Sequence, residues 1–98
     1  MSEQDFFNHL ERSIEEAKTY GYNPTSFRKM LAQEGAIGTA RNLIATDQSS
    51  EGFYHLAKLG KLNLSLEYAV LKHPHLFTEE ELAKAQERLE EARAWGEA

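Results

Sequence analysis

The residues best suited to chemistry in this chain are four histidines, two of which stand in the segment 73–75, His-Pro-His. The segment places two imidazoles near each other at a predicted helix end, with carboxylates close by at Glu67 and at 79–81. A zinc site needs three or four convergent ligands, and no recognised ligand spacing is present. His9 and His55 are single residues on predicted amphipathic helices. The pattern favours capping, surface or packed histidines, and we predict no metal and no cofactor.

Residues for nucleophilic or acid–base catalysis are present but are not arranged for it. The serines stand at predicted caps or exposed helix positions, where Ser65 is expected to bond the backbone, and no nucleophile-elbow motif is present. Isolated glycines give no phosphate-binding loop. The chain has no cysteine, which excludes thiolate metal sites, disulfides and cysteine nucleophiles. The carboxylates of the last predicted helix share one exposed surface and make no acid/base pair. We predict that the chain is not an enzyme.

Aromatic residues around the first predicted turn suggest a binding surface instead. The segment 20–24, Tyr-Gly-Tyr-Asn-Pro, concentrates aromatic area where the backbone must bend. Tyrosine and tryptophan are enriched at hot spots of protein interfaces, although tyrosines also pack at hinges with their hydroxyls bonded to the backbone. We predict an unknown protein partner, with a homodimer as one option. The predicted partner-binding residues are Tyr20, Tyr22, Arg28, Arg41 and Trp95.

A second interpretation takes residues 27–46 as a helix-turn-helix-like hairpin around Gly35. Thr39, Arg41 and Asn42 would lie on its second helix, and these residue types read base edges. The net charge of −5 disfavours nucleic acid, because affinity depends on neutralising phosphates. Arg41 also stands where the motif has an apolar residue. A nucleic-acid-binding accessory domain is therefore the alternative to a protein-interaction module.

Length and composition indicate one globular domain over residues 1–98. Hydrophobic residues make up 41% of the chain and charged residues 28%, so the composition is not that of a disordered protein. The N-terminal sequence lacks the basic region and apolar run of a signal peptide, and no apolar stretch approaches the about 20 residues of a membrane span. The absence of cysteine fits a reducing compartment. We predict a cytoplasmic protein that does not enter a membrane.

Apolar residues recur at three- and four-residue spacing along most of the chain, which is typical of amphipathic helices. No segment alternates as a strand would, so the predicted fold class is all-α, a compact orthogonal bundle of five to six short helices. Gly21, Gly35 and Gly60 are predicted helix ends. The fifth helix is apolar on more than one side and should be central. The predicted helices cover about residues 4–20, 24–34, 36–45, 50–59, 63–72 and 78 onward.

Several polar residues are predicted to begin these helices. Asn23, which precedes a proline, and Asn63 are predicted N-caps. The polar run 46–50 carries caps for the fourth helix. Thr78 with Glu81 forms a capping box at the start of the last helix.

Two segments carry a resemblance to a known pattern: 22–31, Tyr-Asn-Pro-Thr-Ser-Phe-Arg-Lys-Met-Leu, and 60–67, Gly-Lys-Leu-Asn-Leu-Ser-Leu-Glu. They resemble an uncharacterised small helical domain of bacteria and phages, with the pattern Tyr-x-Pro-x-x-Phe-x-x-Met followed by Gly-Arg-Leu-Asp-Leu-Ser/Thr-x-Glu. The similarity covers about residues 20–92. Other matches fall in order at Gly35, Gly52-Phe53 and Leu76-Phe77-Thr78.

The resemblance implies a small helical module, sometimes appended to nuclease or restriction-type proteins, and hence a link to defence or counter-defence. It brings no activity with it. Lys61 and Asn63 stand where the pattern has arginine and aspartate. Within 60–67 the glycine, the leucines and Asn63 have predicted structural roles, whereas Lys61 and Glu67 have none.

Overall fold

The computed structural model describes residues 3–46 and 51–97, with the side chains of 95–97 excepted. Within these ranges the chain forms five α-helices and two 3₁₀ turns and has no strand, so the all-α prediction is confirmed. None of the described helices is both long and apolar enough to cross a bilayer. The helices are α1 (Glu3–Thr19), α2 (Thr25–Ala45), α3 (Glu51–Lys58), α4 (Leu66–Lys72) and α5 (Glu79–Glu97), and the 3₁₀ turns cover Leu62–Leu64 and Pro74–Leu76.

Helix α1 buries one apolar stripe and ends at a glycine. Phe6, Leu10 and Ile14 repeat every four residues, as one face of an α-helix requires, and are at most 4% exposed. The main core forms where this stripe meets α2, α4 and α5. Gly21 follows the helix with φ of 87°, a left-handed conformation that costs other L-residues energy. The predicted end of the helix is confirmed.

Helix α2 is broken at Gly35, where φ is 77° and ψ is 173°. This region of backbone space is open essentially to glycine alone. The sequence therefore divides α2 into two halves, as predicted for separate second and third helices. The predicted N-cap at Asn23 is wrong: α2 begins after Pro24 with no side-chain cap bond. The Asn23 carbonyl instead accepts a bond from the Thr25 N–H at 2.9 Å.

The segment before α4 differs from the prediction. Asn63 is exposed within a 3₁₀ turn and does not begin the helix. Ser65 is the N-cap, because its hydroxyl accepts from the Tyr68 N–H at 3.2 Å and donates to the Leu62 carbonyl at 2.6 Å. The prediction that Ser65 bonds the backbone is confirmed. Helix α4 is central, as predicted, with Ala69 and Val70 fully buried.

Helix α5 begins with the predicted capping box. The Thr78 N–H donates to Glu81 Oε1 at 2.8 Å, and the Glu81 N–H donates to Thr78 Oγ1 at 3.2 Å. The helix then buries Ala85, Leu89 and Ala92 at spacings of three and four residues. The predicted caps at 47–50 lie outside the described residues.

Candidate partner-binding surface

Two aromatic contacts define a surface beside the ends of α1 and α3. The rings of Tyr22 and His55 stack with centroids 4.4 Å apart and an interplanar angle of 21°. The Lys61 ammonium lies 4.6 Å from the ring centroid of Tyr20, whose side chain is among the exposed large hydrophobic groups. We call Tyr20, Tyr22, His55 and Lys61 the tyrosine face.

The same hydrogen-bonded backbone turn places these side chains at the end of α1 and at the end of α3. After α1, the Gly21 N–H donates to the Lys18 carbonyl at 3.0 Å and the Tyr22 N–H to the Ala17 carbonyl at 3.1 Å. This pair of bonds closes a helix end as a Schellman motif, with glycine at the left-handed position. Two side chains of the tyrosine face, Tyr20 and Tyr22, therefore flank a turn that the backbone fixes.

The end of α3 repeats that pattern. The Gly60 N–H donates to the Ala57 carbonyl at 3.1 Å and the Lys61 N–H to the Leu56 carbonyl at 2.9 Å. The φ of Gly60 is 72°. Tyr22 packs against a small apolar cluster that contains Ala17 and Leu56, so the two closed helix ends meet beneath the face.

The Tyr22 hydroxyl and the Lys61 ammonium of the tyrosine face can both interact with a partner. Burial, and after it the charge of Glu51, raises the pKa of Tyr22 above 10.0, so its hydroxyl stays protonated and can donate a hydrogen bond at neutral pH. A cation–π contact at an exposed site contributes only about 0.5–1 kcal/mol. The Lys61 ammonium can therefore exchange the Tyr20 ring for a partner at small cost.

The other predicted partner-binding residues lie elsewhere. Arg28 is exposed in the first half of α2, beside a groove that Phe7 and Glu11 of α1 also line. Arg41 Nε donates to Glu81 Oε2 at 3.1 Å, which ties α2 to α5. The side chain of Trp95 lies outside the described residues. Of the four predicted residues whose side chains are described, the contacts connect Tyr20 and Tyr22 to the face and not the two arginines.

The residues of the nucleic-acid alternative are engaged within the fold. Thr39 is fully buried and its hydroxyl has no hydrogen-bond partner among the described residues, a placement that does not suit its predicted role in reading bases. Asn42 donates to Glu34 Oε1 at 2.7 Å, and Arg41 is paired with Glu81. Both surface residues thus lie against carboxylates, which repel phosphate.

A buried ion pair that the sequence interpretation missed joins α4 to α5. Arg88 Nη1 lies 3.3 Å from Glu67 Oε2, with the two residues only 6% and 2% exposed. Burial raises the pKa of Glu67, while its own backbone N–H and the guanidinium act in the opposite direction. Glu67, which had no predicted role, is therefore part of the core. A charged residue three positions after Ala85 and four before Ala92, on the buried stripe of α5, is the signal that could have revealed the pair.

The same guanidinium closes the end of α2. Arg88 donates to the carbonyls of Leu43 at 2.9 Å and Ile44 at 3.2 Å, and also to the carbonyl of Thr46. The first two are among the carbonyls that an α-helix leaves without partners at its C-terminus, and Thr46 is the residue that directly follows α2. We call Arg88, Glu67 and these three carbonyls the Arg88 clasp.

Two histidines of the chain meet between α1 and the end of α4. His9 Nδ1 lies 3.2 Å from His73 Nε2, and the Phe6 ring lies edge-on to His73 at 5.3 Å. Burial is the largest cause that lowers the pKa of each imidazole; the next cause is the neighbouring charge of His73 for His9, and of His75 for His73. Within 3–46 and 51–97, no three histidine or carboxylate side chains are placed to hold a metal ion.

A cavity of about 150 Å³ lies behind the tyrosine face, between α1, α2, α3, the 3₁₀ turn before α4 and the start of α4. Its wall is mostly apolar, and Tyr22 contributes to it. Four polar residues also line it: Ser13, Ser26, Ser65 and Glu67. Ser65 is engaged as the N-cap of α4 and Glu67 in the Arg88 clasp.

Comparison of the chain with protein-family models, curated proteins and solved structures finds no match. The resemblance of residues 20–92 to a bacterial and phage domain therefore stays a prediction.

Proposed function

We propose that this chain is a non-enzymatic module that binds a protein partner through the tyrosine face. The observation that carries the proposal is the pairing of Tyr20 and Tyr22 with Lys61 and His55 at two helix ends closed by glycine. Tyrosine supplies a large, amphipathic contact area at a low cost in conformational entropy. Lysine and histidine beside it add hydrogen-bond donors.

The backbone beneath the face supports this role. Both turns are held by the paired hydrogen bonds of a Schellman motif, and Tyr22 is stacked on His55. A partner therefore meets side chains that are already positioned, which reduces the entropy lost on binding. A surface with this degree of preorganisation suits a protein partner of defined shape.

Charge favours protein over single-stranded nucleic acid as the partner. Aromatic side chains also stack on bases, but proteins that bind single strands add a positively charged groove along the backbone. This chain has a net charge of −5, and the negative charge of Glu51 acts on Tyr22. The proposed location is cytoplasmic, which the cysteine-free composition supports, and the resemblance of residues 20–92 supports a partner in bacterial or phage defence or counter-defence.

Quantitative affinity capture from the native cell tests the proposal. The tagged chain is compared with Tyr22→Ala and Tyr20→Ser, and with Tyr54→Ser as a matched control, since Tyr20 and Tyr54 are 42% and 44% exposed. Truncation of a hot-spot residue costs about 2 kcal/mol or more, so a partner retained by the wild type and the control should fall at least tenfold in both face variants. Equal capture by all four folded proteins would refute the role of the face.

A further inference from the structure

The cavity behind the tyrosine face has the dimensions of a small-ligand site. Its volume is about 150 Å³, and five elements of the fold contribute to its wall: α1, α2, α3, the 3₁₀ turn before α4, and α4. Cavities of this volume lined by leucine, isoleucine and phenylalanine bind benzene. The apolar wall here includes the same residue types, in Leu10, Ile14, Phe53 and Leu56, with Ala17 between them.

Among the polar side chains of the wall, the Ser13 hydroxyl is the one best placed to bond a ligand inside the cavity. Ser13 is 9% exposed, whereas Ser26, the other uncommitted serine of the wall, lies at an exposed position of α2. Ser65 is committed to the backbone of the turn and of α4, and Glu67 is committed to Arg88. A ligand with one hydroxyl group can thus find a partner at Ser13, since a serine hydroxyl both donates and accepts.

We propose that this cavity binds a compact molecule with a single aromatic ring and one hydroxyl group, of the phenol class. The ring packs against Leu10, Ile14, Phe53 and Leu56, and the ligand hydroxyl bonds to Ser13 Oγ. The site shares Tyr22 with the tyrosine face but needs no second protein, so the titration below tests it without the partner proposed above.

The test is a titration of the ¹⁵N-labelled chain with phenol and with benzene, followed through amide chemical shifts. Both probes should give saturable shifts at residues of α1 and α3 that line the cavity, with phenol bound about fivefold more tightly because of one added hydrogen bond. Nuclear Overhauser contacts should connect the ring protons of phenol to the methyl groups of Leu10, Ile14 and Leu56. Shifts that do not saturate, or contacts at another surface, would overturn the proposal.

Two variants and a control separate the ring from the hydroxyl. Ala17→Leu should weaken both probes more than tenfold, because the larger side chain fills the cavity, whereas Ala32→Leu at an exposed site of α2 should bind as the wild type does. Ser13→Ala should keep benzene binding and abolish the advantage of phenol. Unchanged binding by a folded Ala17→Leu would overturn the site, and an unchanged ratio in Ser13→Ala would overturn the role of Ser13. If a variant does not fold, the nuclear Overhauser contacts in the wild-type protein still decide whether phenol occupies the cavity.

Discussion

The tyrosine face and the Arg88 clasp satisfy the same physical requirement in two different ways. Each lies at a helix C-terminus, where the last carbonyls have no partner within the helix. At the end of α2 a buried guanidinium donates to two of them and to the carbonyl of Thr46, which directly follows the helix. At the ends of α1 and α3 a glycine turns the backbone back, so that N–H groups of the chain close the helix.

The difference decides what the neighbouring side chains are free to do. In the clasp, Arg88 and Glu67 must stay paired inside the fold and cannot contact a partner, because an unpaired buried charge would be strongly destabilising. At the glycine-closed ends the backbone does the closing, so Tyr20 and Lys61 stay at the surface. The clasp is therefore expected to determine stability, and the tyrosine face to determine binding.

Arg88→Leu should be the most damaging single change in the clasp. It removes bonds to three carbonyls and leaves Glu67 buried without its cation, a loss of about 3–5 kcal/mol in the free energy of unfolding. Urea denaturation measures it. Arg93→Leu, at an exposed position of the same helix, is the matched control and should stay within about 0.5 kcal/mol of wild type. A loss below 1 kcal/mol in Arg88→Leu would mean that the clasp is not a major source of stability.

Gly21→Ala tests the glycine-closed end of α1. An added Cβ would meet no other atom within 4 Å, so the cost is the left-handed backbone conformation itself, about 1–2 kcal/mol. Gly38→Ala is the control, because Gly38 lies within α2 and its Cβ would make an ordinary contact at 3.4 Å with Glu34. That variant should be neutral or up to about 1 kcal/mol more stable in thermal or urea unfolding. Equal effects of the two substitutions would contradict the assignment of Gly21.

The histidine pair of His9 and His73, beside the end of α4, predicts a smaller, pH-dependent effect. The pKa values of His9 and His73 are lowered from 6.5, so the unfolded chain takes up protons first as the pH falls. Stability should therefore decrease as the pH drops below 6.5 and level off below the folded pKa values. The charged groups that act on the pair are Asp5, Arg12, Lys72 and His75, together with the N-terminus.

His9→Gln is the variant that isolates this pH dependence. It removes one imidazole of the pair and its proton uptake. Urea unfolding of both proteins at pH 7.5 and pH 5.5 measures the difference, and the variant should lose less stability on acidification. An equal loss would place the pH dependence elsewhere in the chain.

The smallest signal is expected in a test of DNA binding. Arg41 and Asn42 are held by Glu81 and Glu34, and the chain is acidic, so a mobility-shift assay with mixed-sequence DNA should show no binding at low salt. DNA binding that weakens steeply with added salt would support the nucleic-acid alternative, in which α2 and not the tyrosine face carries the binding surface.

Local sequence signals predicted the helices well, because glycine ends and the Thr78 capping box act over a few residues. They failed where contacts between residues far apart in the sequence determine the local structure. Asn63 is as good an N-cap as Ser65 by type, but the 3₁₀ turn places Leu64 and Leu66 in the core and leaves the capping position to Ser65.

The candidate site was harder to predict than the fold. The two tyrosines were visible as an aromatic turn, but their partners Lys61 and His55 come from α3 and the turn that follows it. Arg88 and Glu67 are 21 residues apart and meet only after α4 and α5 pack. Periodicity can flag Arg88 as a charge on a buried stripe, but it cannot name the carbonyls that receive its hydrogen bonds.

The central claim is that the tyrosine face binds a protein partner while the Arg88 clasp holds the fold. Its most direct test is calorimetric titration of the captured partner, once purified, against wild type and Tyr20→Ser, with thermal unfolding measured on both. We predict at least tenfold weaker binding by Tyr20→Ser with an unchanged melting temperature, since the Tyr20 side chain is exposed. Equal affinities for the two proteins would contradict the account.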